Sequence, residues 1–128
     1  KIINYLKQCG IKWYPSLSTD IFVNLYRNVN AIIGNSSSGI HESPTMKIPA
    51  INIGNRQRGR ERAKNVIDTS HDKNDIIESI NKALKDEIFL SEINDISNPY
   101  GDGKSASKIV EILETISINN VIDKQFVD

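Results

Sequence analysis

The fold of this chain is decided by one stretch, Ala31-Ile32-Ile33-Gly34-Asn35-Ser36-Ser37-Ser38-Gly39-Ile40-His41-Glu42. Three apolar residues lead into a glycine, four small polar residues follow, and after a second glycine the chain can be helical. This order predicts a strand, a tight turn and a helix. The amides of residues 36–39 would then point out of the helix N-terminus. Unpaired N–H groups and the positive end of the helix dipole favour a phosphate there.

Outside this stretch, apolar patterns of helical and strand length alternate along the chain. They predict helices over residues 1–9, from Ser18 onward, and over 40–46, 74–84, 87–95 and 105–116, and strands over 11–15, 31–34, 48–54 and 65–68. Alternation at this spacing favours a Rossmann-like, three-layer α/β fold, a parallel sheet with helices on both faces. Ligands bind such sheets at the carboxyl ends of the strands, where the serine turn would lie.

Local signals refine these elements. Gly10 is placed to end the first helix with a positive φ, and Ser18 is a natural N-cap for the second. Residues 31–34 are of the kind buried on both faces of a parallel sheet. Pro44 comes early enough to be tolerated in the first turns of its helix. We expect residues 1–116 to form one domain and residues 117–128 to be a tail.

Composition excludes several classes of protein. The 128 residues carry 16 basic and 16 acidic side chains, so a nucleic acid or a membrane surface is not an expected partner. Cys9 is the one cysteine, which rules out a disulfide framework and suits the cytoplasm. No cluster of residues has metal-ligand spacing, and no metal or cofactor is expected. Because the sequence starts at Lys1 within an amphipathic pattern, we expect a piece of something longer.

The sequence of the turn does not match three common motifs that bind phosphate or carry a nucleophile. A Walker loop needs Lys followed by Ser or Thr, or its equivalent, after the second glycine, whereas Gly39 is followed by Ile40. A dinucleotide fingerprint needs a middle glycine where this turn has serines. A hydrolase elbow has its glycines one residue closer together than Gly34 and Gly39. An NTPase and a serine nucleophile are therefore not expected.

What is left is a phosphate cradle followed closely by an acid. Glu42 would lie about one turn inside the helix, near its positive end. Its two carboxylate oxygens could accept both hydroxyls of a ribose attached to a bound diphosphate. The alternative is that Glu42 only stabilises the helix start, and spacing does not separate the two interpretations.

Four arginines lie within seven positions of the next loop, at Arg56, Arg58, Arg60 and Arg62. On composition alone such a run is a solvated face. His41 could face a ligand or solvent, and His71 is expected to be inert in an exposed loop.

Five segments of the chain form a combined motif. They are Gly34-Asn35-Ser36-Ser37-Ser38-Gly39-Ile40-x-Glu42-x-Pro44, Ile48-Pro49, Asn52-Ile53-Gly54-x-Arg56-Gln57-x-Gly59-Arg60, Asn65-Val66-Ile67 and Asn98-Pro99-Tyr100-Gly101-Asp102-Gly103. Taken together, these segments closely resemble the C-terminal half of the hydrolysing UDP-N-acetylglucosamine 2-epimerases, in particular the sialic-acid-type branch that releases N-acetylmannosamine. The resemblance covers roughly residues 10–116.

The resemblance implies one half of a two-domain fold like that of the B-type glycosyltransferases, with UDP in the cleft. It implies no cofactor and a homodimer when the protein is full length. The turn residues Ser36, Ser37, Ser38 and Gly39 would hold the diphosphate. Glu42 would bind the ribose hydroxyls, and Arg56 would contact the negative charge of the nucleotide. The backbone near Leu17 would contact the uracil edge. Arg58 and Arg62 keep the solvated interpretation, and Arg60 is left open.

The chemistry that the resemblance implies is elimination of UDP across C1 and C2 of the sugar, followed by addition of water. Its acids and bases would lie mostly outside this chain, so this chain alone should bind UDP weakly and turn nothing over. Three alternatives stay open. One is a glycosyltransferase donor domain, the second is an epimerase for a UDP-2,4-diacetamido sugar, and the third is a noncatalytic nucleotide sensor.

Overall fold

A computed structural model describes residues 2–117 of the chain. Its elements in order are α1 (Ile2–Gln8), α2 (Thr19–Asn28), β1 (Ile32–Gly34), α3 (Ser38–His41), α4 (Ser43–Met46), β2 (Ala50–Ile53), β3 (Val66–Thr69), α5 (Lys73–Lys85), α6 (Glu87–Ile93) and α7 (Ser105–Thr115). The tail predicted for residues 117–128 lies, except for its first residue, outside the described residues.

The three strands form one parallel sheet in the order β1-β2-β3. Ile33 pairs with Ile51, and Ile51 pairs with Ile67, so the strands end at a common edge. Helix α3 packs against β1 and β2, and α5 packs against β2 and β3. The predicted α/β class with a parallel sheet is confirmed.

The core is formed by β2 and the helices around it. Its buried apolar side chains are Tyr26, Ile40, Ile48, Ala50, Ile51, Ala63, Ala83, Phe89 and Ile93. Helices α5 and α6 begin at aspartates that cap them. Asp72 accepts from the Asn74 amide at 2.7 Å, and Asp86 accepts from the Phe89 amide at 3.0 Å. Such caps satisfy amides that a helix leaves without an internal partner.

Two local predictions are confirmed. Gly10 follows α1 with a φ of 74°, the left-handed conformation that glycine adopts without strain. Ser18 is the N-cap residue of α2, although its hydroxyl makes no capping bond.

Three predictions are wrong. Residues 11–15 are irregular and exposed instead of forming a strand. Strand β1 is not buried on both faces, because Ile33 is half exposed. The single helix predicted over residues 40–46 is two short helices that meet at Glu42. Pro44 has no N–H to donate to the Ile40 carbonyl, and this gap interrupts the helical ladder.

Candidate functional site

The serine turn joins the carboxyl end of β1 to the start of α3. Ser36 and Ser37 are exposed, and within the described part of the chain their amides donate to no protein group. The Gly39 amide donates to the Ser36 carbonyl at 3.2 Å, and the Ser36 and Ser38 hydroxyls are 3.3 Å apart. The turn therefore presents two free amides beside a pair of hydroxyls, which is a donor set suited to an anion.

Gly39 itself faces the sheet. A Cβ built on it would lie 3.8 Å from the Cβ of Ala50 in β2, an ordinary packing distance. The small residue lets the start of α3 approach the strand closely, so Gly39 packs the turn against the sheet.

The loop after β2 reaches the same turn. Arg56 donates through Nη1 to the Asn35 side-chain oxygen at 3.4 Å, and Gln57 donates through Nε2 to the Asn35 carbonyl at 2.8 Å. Gln57 is buried while Arg56 is exposed. Gln57 thus links the loop to the turn, and the guanidinium of Arg56 contacts Asn35, the residue before Ser36. No role was predicted for Gln57, since its contact is with a backbone carbonyl 22 positions earlier.

Glu42 lies at the break between α3 and α4 with an exposed side chain. Tyr26 of α2 is buried nearby, and its hydroxyl is joined to the Ser38 hydroxyl by a hydrogen bond of 2.5 Å. Burial raises the pKa of Tyr26; the bond to Ser38 lowers it by less, and the negative charge of Glu42 adds to the rise.

The remaining arginines have different surroundings. Arg58 is exposed, as predicted. The solvated interpretation of Arg62 is wrong, because its guanidinium forms an ion pair with Asp68 at 2.8 Å and donates to the Gln57 carbonyl at 2.9 Å. Arg62 therefore fixes the loop that carries Arg56. This role could not be predicted from the sequence, because the partner Asp68 lies on a different element, strand β3.

The two histidines and Leu17 complete the predicted set. His41 is partly buried and stacks on Tyr100. His71 is exposed, as expected, with its ring against Gly54. Leu17 lies half-buried in the irregular segment before α2, and among the described residues no hydrogen bond joins it to the serine turn.

Two features are absent from residues 2–117, a metal-binding cluster and a membrane-spanning helix. No group of three or more histidine, cysteine, aspartate or glutamate side chains could hold a metal ion. No helix in this part of the chain is long and apolar enough to cross a membrane.

A parallel α/β sheet with the serine turn at its carboxyl edge is a Rossmann-like architecture, in which ligands commonly bind at that edge. The sequence profile of the UDP-N-acetylglucosamine 2-epimerase family matches residues 1–114. The chain belongs to this family.

Individual relatives agree with this assignment. The chain is similar to the polysialic acid biosynthesis protein P7 of Escherichia coli, with 35% identity over all of this chain and 33% of that protein. It is 38% identical to the GDP/UDP-N,N'-diacetylbacillosamine 2-epimerase (hydrolyzing) of Campylobacter jejuni, over 91% of this chain and 30% of that protein. It therefore spans about a third of the length of these relatives.

The fold has a counterpart among solved structures. A crystal structure from Listeria monocytogenes, assigned as a UDP-N-acetylglucosamine 2-epimerase, superposes with a TM-score of 0.68 at 19% sequence identity. The superposition covers 92% of this chain and 32% of the Listeria monocytogenes chain. The likeness confirms the fold expected from the sequence.

Proposed function

We propose that this chain is the UDP-binding part of a hydrolysing 2-epimerase, which converts UDP-N-acetylglucosamine and water into N-acetylmannosamine and UDP. The observation that carries the proposal is the serine turn at the carboxyl end of β1, with Arg56 bonded to Asn35 of that turn and Glu42 at the end of the short helix that follows it. The free amides and the arginine suit the diphosphate of a nucleoside diphosphate, and the acid suits its ribose.

Each part of the ligand has a proposed partner. The amides and hydroxyls of Ser36 and Ser37, with the Ser38 hydroxyl, take the diphosphate, and Gly39 lets α3 lie close beneath them. Arg56 neutralises the remaining negative charge, and the Glu42 carboxylate accepts the ribose hydroxyls. The backbone near Leu17 is the proposed contact for uracil.

The same residues suit the proposed reaction. Elimination of UDP places negative charge on the departing diphosphate, and donors fixed in advance around it stabilise that charge as it develops. A base for the C2 proton and an acid are also required. This chain supplies no assigned group for either step, so we propose that it binds UDP, performs no turnover by itself, and acts in the cytoplasm within a longer homodimeric enzyme.

The identity of the sugar is the open part of the proposal. The similarity to protein P7 favours a role in sialic-acid-like surface glycans. The similarity to the Campylobacter jejuni protein favours the alternative of a UDP-2,4-diacetamido sugar, since that relative is named for diacetylbacillosamine. The UDP contacts proposed above would be the same for both substrates.

Calorimetric titration of the chain with UDP tests the proposal, with UMP and ADP as comparison ligands. Glu42→Gln keeps the shape of the side chain and removes its charge. It should weaken UDP binding about tenfold, as expected for a hydrogen bond to a charged group. Arg56→Ala should weaken it similarly, because a charge-assisted contact is lost.

Arg58→Ala is the matched control for the arginine, because Arg58 is exposed on the same loop and its one hydrogen bond in the described residues uses the backbone. It should leave UDP affinity within about twofold of the starting chain. The proposal fails if circular dichroism shows a folded chain that gives no saturable UDP binding at millimolar concentration. It also fails if UMP, ADP and UDP bind equally.

A further inference from the structure

The turn at residues 98–103 packs against the two short helices around Glu42, and the proposed function gives it no role. The side-chain amide of Asn98 donates to the His41 carbonyl at 2.8 Å and to the Thr45 hydroxyl at 2.7 Å. His41 ends α3 and Thr45 lies in α4. One amide group therefore bridges the two helices across Glu42.

Tyr100 contacts His41, the last residue of α3, through its side chain. Its ring stacks on the His41 ring with centroids 4.1 Å apart and an angle of 28° between the planes. Its hydroxyl donates to the Glu61 carbonyl at 2.9 Å, and Arg60 donates to Nε2 of His41 at 2.6 Å. The imidazole thus accepts at Nε2 and is enclosed between Tyr100 and Arg60.

Glu42 lies at the junction of α3 and α4, where its amide donates to the Ser38 carbonyl at 3.1 Å. Pro44 has no N–H for the helical ladder, so the direction of the Glu42 side chain depends on how the two short helices are held against each other. On one side, the Ser43 hydroxyl donates to the Gly39 carbonyl at 2.7 Å. On the other side, His41 is fixed by Asn98 and Tyr100.

We propose that Asn98 and Tyr100 are positioning residues, which hold the break between α3 and α4 so that Glu42 meets the ribose hydroxyls of the bound nucleotide. The inference rests on the proposed function and extends it to a turn far away in the sequence. The two residues act through His41 and Thr45 on the direction of the Glu42 carboxylate.

The test separates the ribose contact from nucleotide binding as a whole. UDP and 2′-deoxyuridine diphosphate are titrated against the chain, and the ratio of their dissociation constants measures the ribose contact. The starting chain should prefer UDP by about tenfold, the value of one hydrogen bond to a charged group. Asn98→Leu has a similar shape and no donor, and it should reduce this preference to about twofold or less.

A second variant guards against a folding failure. Tyr100 is partly exposed, so Tyr100→Ala should fold and should lower the ribose preference in the same direction. Asn94→Ala is the matched control, because Asn94 is exposed and accepts from Lys47 through its backbone carbonyl alone. It should keep the full preference. A merely structural role for Asn98 would lower the affinity for both nucleotides equally, and the ratio would not change.

The outcomes are distinguishable. If the starting chain binds no UDP, the proposed function fails. If it binds UDP with a ribose preference that Asn98→Leu and Tyr100→Ala both retain, the positioning role is overturned while the proposed function stands. An equal loss of affinity for both nucleotides in either variant also overturns the positioning role.

Discussion

The region between β1 and β3 and the two terminal helices differ in how they use apolar residues. In the first region Ile40 and Ile51 are buried, and the side-chain amide of the buried Asn65 donates to the Ser43 hydroxyl and the Ile48 carbonyl. Helices α1 and α7 contain no buried residue. Leu113 of α7 is 66% exposed and Ile2 of α1 is 77% exposed.

The difference shows that an amphipathic pattern does not by itself produce a core. Helix α7 has apolar residues at helical spacing, as does α5, yet only α5 packs against the sheet. Most helix stability comes from burying an apolar face against a neighbour. The stability of this chain should therefore depend on the region around β2 and hardly on α7.

The largest expected effect contrasts these two regions directly. Ile40→Ala removes a fully buried side chain and should lower the free energy of unfolding by about 3 kcal/mol. Ile112→Ala in α7 removes the same atoms at 58% exposure and should change it by less than about 0.5 kcal/mol. Urea unfolding followed by circular dichroism measures both. Equal losses would mean that α7 is part of the cooperative core.

An intermediate effect is expected from two glycines with the same backbone conformation. Gly54 directly follows β2 with a φ of 75°, and Gly10 lies two residues after α1 with a φ of 74°. Gly54→Ala should cost about 1.5 kcal/mol, because a side chain is strained at positive φ. Gly10→Ala should cost less in global unfolding, because α1 can fray without opening the core. Thermal unfolding of the two variants tests this order.

His71 provides a control for the first of these substitutions. A Cβ on Gly54 would lie 2.5 Å from the His71 ring, but that ring is exposed and free to rotate away. Gly54→Ala should therefore cost nearly as much in a His71→Ala background. If its cost vanishes there, contact with the ring and not backbone strain is the cause.

The smallest effect concerns Tyr26, where the core meets the candidate site. Tyr26→Phe removes the bond to Ser38 and should cost about 1 kcal/mol at pH 7. Burial raises the pKa of Tyr26, so the folded state holds the phenolic proton more tightly than the unfolded state. This contribution is complete below the ordinary tyrosine pKa of about 10 and is lost as the pH rises through the folded value.

The difference in unfolding free energy between the starting chain and Tyr26→Phe should therefore be constant below about pH 9 and shrink above pH 10. Urea unfolding at pH 7, 9 and 10.5 measures it. A difference that stays constant up to pH 10.5 would contradict a raised pKa for this hydroxyl.

Much of the fold could be predicted because it depends on neighbours in sequence. The turn after β1, the strand before Gly54 and most of the helix from Lys73 to Lys85 follow from the local apolar period and from glycine and small polar residues. The strand predicted over residues 11–15 failed for the complementary reason. Its residues can be extended, but among the described residues they pair with no other strand.

Part of the candidate site depends on distant partners and could not be predicted. Composition assigned Arg62 to solvent, yet Asp68 on β3 gives it an ion pair. The turn at residues 98–103 was identified as a motif, but its contact with His41 spans 57 positions. The roles proposed for Ser36, Glu42 and Arg56 stay predictions until nucleotide binding is measured.

The sequence alone determined that this chain contains a parallel α/β sheet with a serine turn at a strand end. It did so because strand period, glycine and small polar residues act over a few positions. Only the tertiary structure decided that Gln57 and Arg62 anchor the arginine loop and that Asn98 bridges two helices. Those contacts join residues far apart in the chain, so they stabilise the structure only once the sheet has brought these residues together.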